Sequence, residues 1–414
     1  MAGRTILVTG VTRFIGSALA GLLASRPDVD RVIGVDAVLP EPAARARMEG
    51  AEFARADIRN PLIGRIIEAA GVDTVVHASA SATPASSAAR TMAKEMNVLG
   101  TMQLLAACQR ATSVQHLVVR STAKVYGGSS KDPAVLTEDT TARSLGSGTA
   151  RDAVDIEGYV RGFARRRPDV RVTVPRFAEV IGPTVHTPLT RYFSHSPVIA
   201  VAAGRDGRLQ LLHESDAVAV LEHLALGSWS GIVNVAGEGA LTVVQAVHRA
   251  GRIPLPVPMS ALDGVGLAMR IGRLGGFSAA TVRSLVPGRV LDTSRLRDEV
   301  GFHPAFTTVE AFDDFARTLH RTVGPSTIGK VERTLTTVLG LGSAAPAGTG
   351  IDPLAPVVHP PESGGTGAGV GAAAGPGAAT SVVDDTVGRA AERPGRPHLV
   401  GIDGGSPRRR KAAR

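Results

Sequence analysis

A strand that ends in a glycine turn and feeds directly into a helix constrains this chain more than any other feature. Thr5-Ile6-Leu7-Val8-Thr9 is apolar and β-branched, as a strand buried on both faces must be. It runs into Gly10-Val11-Thr12-Arg13-Phe14-Ile15-Gly16, and a helix-like run, Gly16–Ser25, follows. Gly10 permits the tight turn and Gly16 lets the helix approach the sheet. The helix N-terminus then offers N–H groups without intrahelical partners to a pyrophosphate, so Thr12, Arg13, Phe14 and Ile15 are expected beside the phosphates. Asp36 closes the second strand 20 residues after Gly16, where a carboxylate can accept both ribose hydroxyls of NAD. Arg13 occupies the place of the middle glycine of the usual pattern. Its side chain either crowds the backbone approach to the pyrophosphate or lays a guanidinium along a phosphate, and a basic residue here also suits NADP. Asp36 repels a 2′-phosphate at close range, so NAD is the expected cofactor and NADP the less favoured one.

Beyond this loop, strand-like and helix-like runs alternate. Strands are expected at Thr5–Thr9, Arg31–Val35, Thr74–His77, His116–Arg120 and Val170–Val174, and helices at Gly16–Ser25, Pro61–Ala70, Thr91–Ala111 and Ala150–Arg167. This rhythm predicts an α/β fold, a Rossmann-type doubly wound parallel sheet covered on both faces. Residues 1–180 read as the dinucleotide-binding domain, with a later strand at Gly231–Ala236 returning to it. Residues 181–340, which include a helix-like run at Thr308–Val323, read as a smaller C-terminal substrate domain. From about Leu341, Pro, Gly, Ala, Ser and Thr dominate, so residues 341–414 read as a disordered tail ending in Pro407-Arg408-Arg409-Arg410-Lys411.

Composition narrows the function classes. The net charge is +9, but the base is dispersed and almost all arginine, with five lysines only: Lys94, Lys124, Lys131, Lys330 and Lys411. That reads as an Arg-rich surface rather than a nucleic-acid groove, and leaves contact with RNA or anionic membrane to the basic C-terminus. The single cysteine, Cys108, forms no intrachain disulfide and suits a reducing, cytoplasmic setting. No stretch reaches the ~18 uninterrupted apolar residues of a membrane span.

Further motifs follow in order. They are Ala56-Asp57-Ile58-Arg59, Val76-His77-Ala78-Ser79-Ala80, Asn97-Val98-Leu99-Gly100-Thr101 and Ser121-Thr122-Ala123-Lys124-Val125-Tyr126-Gly127. Later come Pro175-Arg176-Phe177 with Gly182-Pro183, then His213-Glu214-Ser215-Asp216, then Asp292-Thr293-Ser294. On these residues the chain resembles the extended short-chain dehydrogenases of the NAD-dependent epimerase/dehydratase family over roughly residues 3–320. The resemblance implies that Asp57, with Ile58, caps the adenine. It places His77, Ala78 and Asn97 beside the cofactor, and has Thr122 hydrogen-bond the reacting oxygen. It also implies a nucleotide-sugar substrate and a homodimer built on the Thr91–Ala111 and Ala150–Arg167 helices.

One part of the resemblance fails. The family's Tyr-x-x-x-Lys, a phenol acting as general acid/base with a lysine that lowers its pKa, falls on Thr149-Ala150-Arg151-Asp152-Ala153. No lysine occurs between Lys131 and Lys330, so no shifted alignment restores the pair. Lys124 and Tyr126 are the candidates for substitution. On the substrate side Glu179 replaces a family asparagine, and Arg289 resembles a diphosphate-clamping arginine or is a surface arginine. The expectation is an NAD-binding member of this family with an atypical or weakened mechanism. The alternative is a non-catalytic pseudoenzyme, an NAD-responsive scaffold.

Overall fold

The computed structural model describes residues 3–78, 94–129, 131–141, 148–194, 197–271 and 279–319. The expected tail from residue 341 with its basic end, the start of the helix expected at Thr91, the end of the one expected to reach Val323, and Ser79-Ala80 lie outside these residues.

The strands β1 (Arg4–Thr9), β2 (Val29–Asp36), β3 (Glu52–Arg55), β4 (Thr74–His77), β5 (His116–Val119), β6 (Ser121–Thr122) and β7 (Arg171–Phe177) build one parallel sheet with Gly231–Val235. Its order is Gly231–Val235, β7, β5, β4, β1, β2, β3, and the short β6 also pairs with β7. The order reverses direction at β1, as in a doubly wound fold, which places a crevice at the C-terminal strand ends. The sequence signals neither β3, whose four residues show no clean inside–outside alternation, nor the two-residue β6 as a strand.

Strict alternation along the central strands divides the core. Ile6 and Val8 of β1 pack on one face with Leu19 and Leu23 of helix Phe14–Ala24 and Leu221 and Leu224 of helix Glu214–Leu226. Leu7, Val75 and Leu117 face the other way, against Ile63, Ile67, Leu104, Ile156 and Phe163. All of these side chains are essentially sealed from water. A third core, outside the sheet, gathers Phe193, Phe312 and Phe315 edge to face around the short parallel pair Val198–Ala202 and Ile253–Val257. Among the described residues no helix is long and apolar enough to cross a membrane.

Candidate functional site

Gly10 turns the chain after β1 with φ +77°, a conformation that disfavours other residues. The loop closes when the Arg13 N–H donates to the Gly10 carbonyl at 3.2 Å. Arg13 is the extended N-cap of the helix and its side chain does not cap it, so the first-turn N–H groups are left for a ligand. A Cβ on Gly16 would lie 2.3 Å from the Gly10 carbonyl oxygen, so only glycine permits this approach. Asp36 ties the loop to β2: its carboxylate accepts from the Thr12 N–H (3.2 Å) and hydroxyl (2.7 Å) and from the Ala37 N–H (2.8 Å).

The loop forms one wall of a cleft of about 500 Å³, a size suited to a small-molecule ligand. Gly10, Thr12, Arg13, Phe14, Ile15 and Gly16 line it with Ala78, Thr122, Lys124 and Glu179. Another wall is formed by the Thr184–Pro188 segment and Arg191. Buried Glu214 holds that wall in place, accepting from the Thr184 N–H and hydroxyl and from the Val185 N–H. It can reach them because a side chain on Gly182 would strike its carboxylate.

Several expected cofactor residues lie outside this lining. Asp57 is paired with Arg59 at 2.6 Å, and that hydrogen bond, against the opposing effect of burial, holds its carboxyl below the usual range. Ile58 is buried in the core and Asn97 is buried in a π-helical turn, Glu95–Leu99. His77 needs correction as a cofactor-facing side chain. It is 1% exposed, and its ring nitrogens are hydrogen-bonded to the hydroxyls of Thr9 (2.6 Å) and Thr101 (2.9 Å). Burial, with nearby Arg120, pushes its pKa down to about 3, so the ring is a neutral structural bridge.

Tyr126 also requires correction. Its side chain is 1% exposed, its hydroxyl donates to Asn234 Oδ1 at 2.6 Å, and Arg176 donates to it at 2.9 Å. Burial raises the phenol pKa, which is opposite to what an acid/base tyrosine needs. Thr149 opens helix Gly148–Arg166 half-buried, and Ala153 packs in the core at 6% exposure. One turn further on, Glu157 accepts from the Ser121 hydroxyl at 2.6 Å, so this helix face is directed at the β5–β6 edge.

Lys124 reaches Glu179 at 3.0 Å. Burial opposes the Glu179 charge, but Lys124, Arg289 and Arg120 outweigh it and leave the carboxyl below its usual range. Both residues separate the cleft from a second, tighter cavity of about 40 Å³ that Arg208, Gln210 and Arg289 also line. Arg289 is no surface residue, since it donates to the Gly127 carbonyl at 2.7 Å and burial lowers its pKa. The arrangement can hold an anionic nucleotide along the loop and a polar ligand near Thr122.

A sequence profile described as the NAD dependent epimerase/dehydratase family matches residues 6–225. The chain belongs to that family. It is 46% identical over 315 residues to uncharacterized proteins of Mycobacterium tuberculosis and Mycobacterium bovis, covering 76% of this chain and 84% of theirs. Among solved structures it resembles MoeE5 in complex with UDP-glucuronic acid and NAD (22% identity, TM-score 0.58, 76% of this chain and 98% of that one). A UDP-glucose 4-epimerase from Thermotoga maritima with UDP-glucose is similar at 18% identity and TM-score 0.58, with 76% and 98% covered. A dTDP-glucose 4,6-dehydratase from Bacillus anthracis in complex with NAD gives 16% identity and TM-score 0.59, with 80% and 100% covered. At these identities the three structures speak to the fold.

This family member also carries cleft residues that the motifs did not reveal. Arg120 lies on the cleft floor over the Phe177 ring, 5.7 Å from its centroid. Its two-residue spacing from Thr122 could have flagged it, because alternate strand residues share a side. Arg47 donates to the Ser17 hydroxyl at 2.9 Å and covers the Phe14 ring. Neither Arg47 nor Arg191 carried a sequence signal.

Proposed function

We propose that this chain binds NAD along the Gly10–Gly16 loop, receives a nucleotide sugar or related hydroxyl ligand against Thr122, and turns it over weakly. The loop residues fit a dinucleotide: uncapped helix N–H groups and the Arg13 guanidinium suit a pyrophosphate. Solved structures that share the fold were obtained with NAD and with UDP-glucuronic acid or UDP-glucose, which supports the ligand class. When bound, NAD supplies two-electron redox chemistry. The chain's own part is to orient the ligand, with the Thr122 hydroxyl polarising its oxygen and residues 181–319 closing the substrate side.

The weak turnover rests on one observation: none of the three tyrosines lines the cleft. Tyr126 is locked in the interior, Tyr192 donates to the Ala200 carbonyl at 2.7 Å, and Tyr159 faces solvent at 40% exposure. Lys124, the lysine that does line it, is held by Glu179. Without a positioned acid/base, the chemical step loses about 10²–10⁴-fold. Titrating NADH fluorescence on the purified chain and then assaying redox exchange with UDP-glucose tests this. Saturable NADH binding with turnover far below that of a tyrosine-containing relative is expected. Failure to bind NADH removes the reading, and binding with no turnover at all favours the NAD-responsive scaffold.

A homodimer is part of this proposal. Leu99 (51% exposed) and Met102 (39%) lie on one helix, and Tyr159 (40%) on the neighbouring Gly148–Arg166 helix, to which Arg166 and Gln109 link it at 3.1 Å. Joining two copies through these helices would cover that apolar surface. Sedimentation analysis should show a dimer that Leu99→Lys with Tyr159→Glu converts to monomer, and a monomeric parent chain would refute it. A cytoplasmic setting fits the one thiol, Cys108, which burial pushes up to about 12 and so renders inert.

A further inference from the structure

We propose that the Thr12 hydroxyl competes with the cofactor's adenosine ribose for the Asp36 carboxylate, and so sets how tightly and how selectively NAD is held, an inference that rests on NAD lying along the Gly10–Gly16 loop. The chain then grips one ribose hydroxyl where the strand-end carboxylate alone would take two.

The count of acceptor positions carries the argument. An ionised carboxylate has two oxygens and about four acceptor positions. Oδ2 of Asp36 accepts from both the Thr12 N–H (3.2 Å) and the Thr12 hydroxyl (2.7 Å), and Oδ1 accepts from the Ala37 N–H (2.8 Å). Among the described residues these donors fill Oδ2 and leave one position on Oδ1. Two ribose hydroxyls need two positions, so the second enters only by displacing a donor. The two N–H groups are fixed by the backbone. The hydroxyl can rotate, and it is therefore the competitor.

Thr12 is well placed for this. It lines the cleft, and both it and Asp36 are half-buried. Its hydroxyl makes the shortest of the three bonds, and hydrogen bonds to an ionised acceptor are the strong ones. Neither partner can draw back. Thr12 sits between the Gly10 turn and the Arg13 N–H that closes onto the Gly10 carbonyl at 3.2 Å. Asp36 is anchored through its own carbonyl, which accepts from the Ala56 N–H at 2.9 Å. The same bond bears on NADP, whose 2′-phosphate replaces a hydroxyl donor and brings negative charge towards the carboxylate. The advantage of NAD at Asp36 is therefore the hydroxyl bond, and Thr12 limits it to one.

Fluorescence titration of the full chain with NADH and with NADPH tests this. The parent chain is expected to prefer NADH by about 10-fold, the lower range for one hydrogen bond to a charged group. Thr12→Ala opens the second position and should tighten NADH by about 10-fold more, with no gain for NADPH. Thr12→Ser keeps the hydroxyl and should bind both nucleotides as the parent does. Unchanged or weaker NADH binding by Thr12→Ala overturns the inference. So does an equal change for both nucleotides, because Thr12 would then merely shape the loop, and so does a Thr12→Ser chain that tightens NADH as the alanine variant does. A parent preference above about 1,000-fold overturns it without any variant, since that exceeds what a single such bond supplies. Failure of both the parent and Thr12→Ala to bind NADH strikes the proposed function itself, and the inference falls with it.

Discussion

The double substitution Thr149→Tyr with Ala153→Lys is expected to raise NAD-dependent turnover of a nucleotide sugar by about 10²–10⁴-fold. The helix is already aimed correctly. Residues 149, 153 and 157 follow one another at single-turn intervals, and Glu157 is fixed to the Ser121 hydroxyl at 2.6 Å, directly beside Thr122. A phenol at 149 and an ammonium at 153 therefore enter on the face that meets the β5–β6 edge. The two must act together. A lone phenol titrates near its ordinary pKa of about 10, and only the adjacent cation brings it into a useful range. Thr149→Tyr alone should thus recover little, and the pair should exceed the product of the single effects. The lysine must be accommodated where Ala153 is 6% exposed, and overpacking there costs about 1–3 kcal/mol. A thermal melt and an NADH titration accompany the rate measurement for that reason. A double variant that folds, binds NADH and stays inert would show that the substrate pocket has diverged along with the catalytic pair. Adding Thr122→Ala to an active double variant should remove the gain.

Much of this fold was legible because it rests on local periodicity. The β1–Gly10–Gly16–Asp36 unit announces itself through a continuous apolar run, a glycine at a positive φ (Gly10) and a glycine placed where a Cβ would strike backbone (Gly16). Side-chain direction was less legible. Motif position puts His77 and Tyr126 near the site, but tertiary contacts decide where they face. His77 turns inward because Thr9 and Thr101 satisfy its ring, and Tyr126 because Asn234, 108 residues away, accepts a hydrogen bond from its hydroxyl. The same limit hid Arg191. Nothing in its neighbourhood of sequence tells that helix Pro188–Ser194 lines the same cleft as the glycine loop. That placement depends on Glu214, which grips Thr184 across 30 residues and reads in sequence only as part of a motif. Glu179 stands in the sequence as an added carboxylate, and nothing in the chain order tells that Lys124 lies against it at 3.0 Å.

Glu157→Ala is expected to destabilise the chain by about 3–5 kcal/mol, the cost of leaving a buried charge without its partner, and so a large share of a typical folding free energy. Glu157 is 3% exposed and Arg176 7%. Arg176 grips both carboxylate oxygens, at 3.0 and 2.7 Å, and spends its remaining nitrogen on the Tyr126 hydroxyl (2.9 Å) and the Glu138 carbonyl (2.8 Å). Burial opposes the guanidinium charge, but the bonds to Glu157 outweigh it and hold the pKa above the usual arginine value. Removing the carboxylate strands that cation and releases Ser121. Replacing both partners, Glu157→Leu with Arg176→Met, should cost much less than Glu157→Ala, because no buried charge then remains. Urea denaturation of the two variants beside the parent chain measures the difference. A loss below about 1 kcal/mol for Glu157→Ala, the range of exposed ion pairs, would show that the pair is solvated. The network also joins stability to the site: Glu157 fastens Ser121, Ser121 precedes Thr122, and β6 pairs with β7 at Arg176 and Phe177. Glu157→Ala should therefore loosen the hydroxyl that meets the ligand while the Gly10–Gly16 loop keeps its geometry, so sugar binding should fall further than NADH binding.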